Sequence, residues 1–199
     1  MTNTLFLPEL REMLAENDTA GLAEFCQTLH SARTAEFMEG LDPAETWAVL
    51  QHADDSTRAD IYHYFHIDKQ IAMIETLDRA AMASLIGNLA PDERVDILKQ
   101  VDPAIVEELL PLVPAIERRD IQRLTAYPEG TAGSVMTTSF ARLSEKSTAR
   151  QAVEDLARQA ADLETIYYLY VVDEEDHLRG VVSARQLVSS MVKTDTPIG

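Results

Sequence analysis

With 199 residues the chain holds one large domain or two small ones, domains running to ~100–200 residues, and its hydrophobic fraction of 46% excludes intrinsic disorder as the main state. Against 17 Lys and Arg stand 34 Asp and Glu, a formal net charge of -17 that repels nucleic acid and anionic lipid headgroups and attracts cations. Nucleic acid is not expected among the partners.

The N-terminal MTNTLFLPELRE has neither the basic start nor the long apolar core of a signal peptide. The single cysteine, Cys26 in EFCQTL, lacks a partner for a disulfide or a thiolate metal site and reads as inert core in a reducing compartment. From Leu41 to about Leu124 the chain falls into segments on a beat of about twelve residues: LDPAETWAVLQHA, DDSTRADIYHYF, HIDKQIAMIETL, DRAAMASLIGNL, APDERVDILKQV, DPAIVEELLPLV and PAIERRDIQRL. Each opens on polar residues or proline and closes on apolar residues at helical spacing, as Val95, Leu98 and Val101 do. Pro43, Pro91, Pro103 and Pro114 fall near segment starts, where a missing N–H costs nothing, and Asp42 and Asp102 precede two of them as N-caps. Helices this short cannot bury an apolar stripe alone and must stack on their neighbours. Residues 1–127 are therefore expected to form one superhelical array, the alternative being an irregular bundle. The longest runs free of charged residues, such as 80–91, hold twelve residues, short of the ~20 that span a bilayer.

After Tyr127 the character changes. PEGTAGS is the largest Gly/Pro/Ser cluster, and 128–136 reads as a linker. Beyond it the sequence predicts a short strand near 140–143, a helix over 148–160 with Val153, Leu156 and Ala160 on one face, and a strand at IYYLYVV, 166–172. A polar turn at 173–177, a strand at 178–182 and a helix over 183–192 capped by Ser183 complete the order. The expected class is α+β: an all-α array, then a β-α-β-β-α module over 137–192, then a tail, 193–199.

ETIYYLYVVDEEDHLRGVVSARQLV, preceded by YPEGTAGSVMT, resembles the first CBS module of the MgtE-type magnesium transporters. The acidic helical repeats of residues 20–127 resemble that family's N domain in order, length and acidity. The resemblance covers roughly 170 of the 199 residues. It implies a cytosolic Mg²⁺-sensing region of a transporter or channel at the cytoplasmic face of the membrane, gating an attached pore through cation bridging of acidic faces. It further implies a second CBS module and a transmembrane pore as missing partners, the chain being a soluble fragment or a natural short relative, of which a fragment is favoured. A lone CBS module leaves apolar surface uncovered, so a homodimer through 137–192 is expected. The rival is a stand-alone helical-repeat and CBS scaffold binding a protein partner or an adenosine nucleotide.

Asp92, Glu93 and Asp96 open one repeat helix, Asp92 and Asp96 sharing a face at i,i+4. Read from the residues, first-turn acids complement the helix dipole, while a divalent cation, with Mg²⁺ suited to hard oxygen ligands, is the second reading. The resemblance favours the second, since regulatory magnesium ligands lie on the corresponding helix, and it adds Asp60 of RADIYHY. His63 and His66, with His52 near, stand at a spacing compatible with zinc but lack a recognisable third ligand, so packing with Tyr62, Tyr64 and Phe65 is preferred. The resemblance also sets Tyr170, Asp173, Ser183 and Arg185 around a nucleotide cleft, with Gln186 where adenosine-binding CBS modules often carry an acid for the ribose. Read as residues, Tyr170 alternates along a strand, Asp173 starts a turn and Ser183 caps a helix. GxSxG, GxxxxGK[ST] and GxGxxG are all absent, and the chain is read as a non-enzyme.

Overall fold

The computed structural model describes residues 5–160, 163, 165–191 and 198. The expected tail, 193–199, lies outside the described residues except for Ile198, as does Val192 at the expected end of the module. The chain divides into two compact units, Met1–Met136 and Thr137–Gly199.

The first unit is helical throughout its described elements: α1 Leu7–Glu16, α2 Thr19–Thr28, α3 Ser31–Met38, α4 Pro43–Leu50, α5 Asp55–His63, α6 Ile67–Thr76, α7 Arg79–Gly87, α8 Pro91–Leu98, α9 Pro103–Leu109 and α10 Ala115–Thr125. Every one of them begins twelve residues after the one before. The beat starts at Leu7, earlier than the segment at Leu41 where the sequence makes it visible. The early repeats hide it because α1 and α3 open at Phe6 and His30, without the Asp-Pro signal of α4 and α9.

A common pattern of burial explains the beat. The fourth, seventh, eighth and eleventh residues of each repeat form the i, i+3, i+4, i+7 stripe of a helix and its following turn. Met82, Leu85, Ile86 and Leu89 fill these seats in α7, and Val49, Leu50 and Ala53 fill the last three in α4. Cys26 takes the eighth seat of α2, buried, and its thiol is pushed up to about 11 by desolvation. From α2 on, each helix packs on the helix two places along, α2, α4, α6, α8 and α10 in one row and α3, α5, α7 and α9 in the other. Helices three apart also meet, α1 with α4 and α2 with α5, so the rows wind into a superhelical array.

The helix ends are closed from both sides. Asp18, Asp42, Asp54, Asp78 and Asp102 accept hydrogen bonds from the first-turn N–H groups of α2, α4, α5, α7 and α9. Glycine at helix C-termini is rare, and long cations serve the carbonyls instead. Arg58 donates to Leu50 O and Ala53 O at 3.0 and 2.7 Å, Arg79 to Ile74 O at 2.9 Å, Arg94 to Gly87 O at 2.7 Å and Arg118 to Pro111 O at 3.0 Å. Lys69, 9% exposed, inserts its ammonium between Met38 O and Leu41 O at the end of α3, over the Phe65 ring. A third device joins helices three places apart through the ninth repeat residue. Glu39 accepts from His66 N at 3.4 Å, Glu75 accepts from Asp102 N at 3.2 Å, and His63 Nδ1 lies 2.6 Å from Glu93 Oε1.

Residues 128–136, expected as a linker, carry a 3₁₀ turn, Ala132–Val135, that packs on α10, and Gly133 lies against the Tyr127 ring with no room for a side chain. In the second unit β1 Arg142–Ser144 runs parallel to β2 Tyr168–Val172, and β3 Leu178–Ser183 pairs antiparallel with β2. The crossover helix α11, Ala149–Gln159, and α12, Ala184–Ser190, complete the β-α-β-β-α order. Ala141, Leu143, Ala152, Leu156, Leu169 and Leu187 form the core, burying one face of the sheet. Tyr168 and Val181 on the other face remain 65% and 50% exposed. Among the described residues strands begin only at Arg142, and no helix is long and apolar enough to cross a membrane.

Burial lowers the Lys69 ammonium to about 8, opposed by the carboxylates of Glu39, Asp42 and Glu45. The unfolded chain therefore binds more protons than the folded one between about pH 8 and the ordinary lysine value, and stability from this group rises with pH there. Lys69→Met strands two carbonyls and should cost about 1–3 kcal/mol at pH 7 in denaturant unfolding. The gap between parent and variant should widen from pH 8 to 10; a gap that narrows contradicts this role for Lys69.

Candidate functional site

Two places bring chemistry-bearing side chains together, one in each unit. In the first unit it is the opening turn of α8. Pro91 takes the first helical position, and Glu93 folds back so that Oε2 accepts from Ala90 N at 3.4 Å. Its other oxygen meets His63 at the end of α5. The ninth-residue contact between helices three apart thus holds the acidic turn of α8 against α5. Asp92 lies beside it with Oδ1 buried and without a hydrogen-bond partner. A buried carboxylate oxygen left unpaired costs roughly 1–3 kcal/mol, so this atom calls for a donor or a cation. Asp96, one turn on, is exposed and lies 3.9 Å from Lys99 Nζ.

Asp60 occupies on α5 the repeat position that Asp96 occupies on α8, and it is exposed. The structure thus sets Asp92, Glu93 and Asp96 on one helix and Asp60 on the helix that Glu93 touches. Among the described residues it gathers no three His, Cys, Asp and Glu side chains around one point. Carboxylate oxygens of this kind fit a hydrated Mg²⁺, which keeps several waters and takes one or two protein ligands. Behind the turn Arg94 is buried. Desolvation lowers its guanidinium, and the carboxylates of Glu117, Asp120 and Glu93 hold it charged. The histidines take other contacts: His63 meets Glu93 and the edge of Tyr64 at 4.9 Å, and His66 opens α6. Helical periodicity marks Asp92 and Asp96 but gives no sign of the His63 contact. That contact becomes legible only once α5 and α8 are known to be three places apart, where a ninth residue can reach the opening of the later helix.

In the second unit Tyr170, Ser183 and Arg185 line a cleft of about 630 Å³ together with Thr137, Ser139, Phe140, Thr165, Tyr167, Tyr168 and Ala184. The Phe140 ring meets Tyr170 edge-on at 5.2 Å, and the Arg142 guanidinium covers Phe140 at 4.8 Å. Among the described residues Arg185 is the one charged residue in the lining. Aromatic walls, hydroxyls and one guanidinium suit a planar base bearing an anionic group. Asp173 is not in that lining. Its Oδ1 accepts from His177 N and Glu175 N at 2.9 Å each, and these bonds, His177 N foremost, hold its carboxyl below the usual range. Gln186 is engaged in its own helix cap: Oε1 accepts from Ser183 N and Ser183 Oγ at 2.9 and 2.8 Å, and Ser183 Oγ in turn accepts from Gln186 N. The order of elements predicts the cleft, whereas Phe140, Tyr167 and Tyr168 in its wall need the sheet register to be seen.

Residues 29–130 match the family model of the MgtE intracellular N domain, and 132–193 match that of the CBS domain. Over 188 residues the chain is 30% identical to a magnesium transporter MgtE of Thermus thermophilus, covering 93% of this chain and 42% of that protein. It spans less than half the length of the curated relatives it matches. The crystal structure of the soluble part of a magnesium transporter superposes with a TM-score of 0.87 at 30% identity, over 96% of this chain and 75% of the other. The cytosolic domain of the Mg²⁺ channel MgtE in complex with ATP superposes with a TM-score of 0.78 at 29% identity, over 95% of this chain and 79% of the other.

The unpaired Asp92 oxygen has a consequence that a merely dipole-complementing acid lacks. In chelator, with no divalent cation, Asp92→Asn should raise the thermal midpoint by the equivalent of about 1 kcal/mol, since it removes a desolvated charge and an i,i+4 repulsion with Asp96. A lowered midpoint would show that Asp92 serves the helix dipole alone.

Proposed function

The chain belongs to the MgtE family, an MgtE intracellular N domain followed by a CBS domain, and from that premise we propose that it is the Mg²⁺-sensing regulatory region of a magnesium transporter. The observation that carries the reading is the opening turn of α8, where Asp92 Oδ1 is buried without a partner beside Glu93 and one turn from Asp96. The first unit has ten Lys and Arg against 24 Asp and Glu, and half of those cations serve helix-end carbonyls. With so large an excess of acids the outer surface is strongly acidic. At high Mg²⁺ hydrated ions, each taking one or two of the carboxylates of Asp92, Glu93, Asp96 and Asp60, bridge this acidic face to acidic groups of the CBS region and favour a closed arrangement. At low Mg²⁺ the carboxylates repel and the domains part, releasing a pore carried by the rest of the full-length protein at the membrane. This is a population shift, with the cation favouring one arrangement over the other.

The test separates site binding from screening. Millimolar Mg²⁺ should raise the melting temperature of the chain beyond what NaCl of matched ionic strength achieves, with weak affinity of ~10⁻⁴–10⁻³ M. Asp92→Ala combined with Asp96→Ala should abolish the Mg²⁺-specific part and leave the NaCl response intact. Identical Mg²⁺ responses of parent and double variant would remove these residues from the sensor.

A second reading concerns the cleft at Arg185, because the relative of known structure is in complex with ATP and the lining here suits a base and an anion. In this reading the CBS module binds an adenosine nucleotide, and the uncovered sheet face at Tyr168 and Val181 is closed by a second CBS module or by a second copy. Sedimentation with labelled ATP reads both at once. The chain should dimerise with rising concentration and bind ATP, and Arg185→Ala should weaken binding by about tenfold, as the loss of one charge-assisted contact does. A monomer at high concentration contradicts the pairing, and unchanged ATP binding by Arg185→Ala contradicts the cleft.

A further inference from the structure

The array is finished differently at its two ends. At the start α1 turns Leu7 and Leu10 inward and presents Glu9, Glu12 and Glu16 outward, the polar face that a capping repeat requires. At the other end no such cap follows α10. An eleventh helix on the same beat would start at residue 127 and rest on α9 and α8, two and three places before it. The chain instead turns through Pro128 into the 3₁₀ turn. The seat stays open as a groove of about 380 Å³ lined by Val95 and Leu98 of α8, Val106 and Leu110 of α9, and Ile121 of α10. Val106 and Leu110 hold the fourth and eighth repeat positions and are only half-buried, where Met82 and Ile86 at the same positions of α7 are fully buried.

The rim carries a charge with an assigned direction. The ninth residues of α3, α5 and α6 each reach the opening turn of the helix three places along. The ninth residue of α8 is Lys99, which lines the groove, and its nearest carboxylate, on Asp96, is 3.9 Å away, beyond hydrogen-bonding distance. On the pattern of those three contacts Lys99 addresses the first turn of a helix lying in the eleventh seat. A cation there opposes the helix dipole unless that turn is acidic. We propose that this groove receives an amphipathic helix of a partner protein, with apolar residues at i, i+3, i+4 and i+7 and an Asp or Glu in its first turn that pairs with Lys99. The occupant continues the array by one repeat, a helix-in-groove recognition whose register is fixed by one ion pair.

The chain itself supplies a probe: its α8 repeat, APDERVDILKQV, has Asp92 and Glu93 in the first turn and Ile97, Leu98 and Val101 at i+3, i+4 and i+7, with Arg94 at the first of the four seats. A helix-stapled peptide of that sequence, titrated into the ¹⁵N-labelled full chain, should shift amide resonances of α8, α9 and α10 and no others. Lys99→Glu, an exposed substitution that leaves the core untouched, should weaken binding about two- to fivefold, as one surface ion pair does. A peptide with lysines replacing its two first-turn acids should bind Lys99→Glu better than it binds the parent. Shifts outside these helices, no shifts up to millimolar peptide, or equal binding by parent and Lys99→Glu overturn the proposal. It is likewise overturned if the same resonances shift when the chain is concentrated without peptide, which assigns the seat to a second copy, or if dodecanoate displaces the peptide stoichiometrically, which assigns it to an acyl chain.

Discussion

A helix of eight residues has as many backbone groups unpaired at its ends as paired within, and ten such helices in succession make the closure of helix ends the constraint on which the first unit depends. The chain meets it with charge. Aspartates close the N-termini of α2, α4, α5, α7 and α9, while Arg58, Lys69, Arg79, Arg94 and Arg118 reach back to carbonyls at C-termini. Because the closing side chains sit at fixed places in a twelve-residue repeat, the apolar stripe stays in register from one helix to the next. The array can then wind regularly without glycine turns.

The same residues bear on the electrostatics. Among the described residues, of the five cations that serve carbonyls only Arg58 and Arg79 also pair with a carboxylate, Asp55 and Glu108, and with 24 acids against ten cations the unit's surface field is strongly negative. Within that field the opening of α8 is distinct, for there the contact between α5 and α8 sets a carboxylate against a histidine and leaves the neighbouring Asp92 oxygen buried and unpaired. In the second unit hydrogen bonding closes off two residues instead. Gln186 is held in the cap of α12, and Asp173 in the turn between β2 and β3, which leaves Arg185 and the aromatic walls as the cleft's recognition groups.

Much of this is legible in the sequence where local rules decide. Asp42 before Pro43 and Asp102 before Pro103 announce helix starts, and IYYLYVV announces the central strand, because capping and β-branching act within a few residues. Asp92 and Asp96 could be placed on one face for the same reason. The contacts of His63 with Glu93 and of Lys69 with Met38 and Leu41 could not, since each depends on helices that meet two or three repeats apart. The start of the beat at Leu7 was hidden as well, because Phe6 and His30 give no capping signal in sequence although their positions fit the period. The stretch 128–136 reads as a linker from its Gly and Pro, yet Gly133 is there because the Tyr127 ring leaves no space for a side chain.

In the proposed reading the acidic unit responds to cations and the CBS unit offers a base-and-anion cleft. Paramagnetic broadening by Mn²⁺, a hard divalent probe of oxygen sites, tests the cation claim most directly when read residue by residue on the ¹⁵N-labelled chain. At substoichiometric Mn²⁺ the amide signals centred on Asp92, Glu93 and Asp96, reaching across to the end of α5 near Asp60, should be lost and should return with excess Mg²⁺. Broadening spread evenly over the acidic surface, or centred on another part of the chain, would contradict that claim.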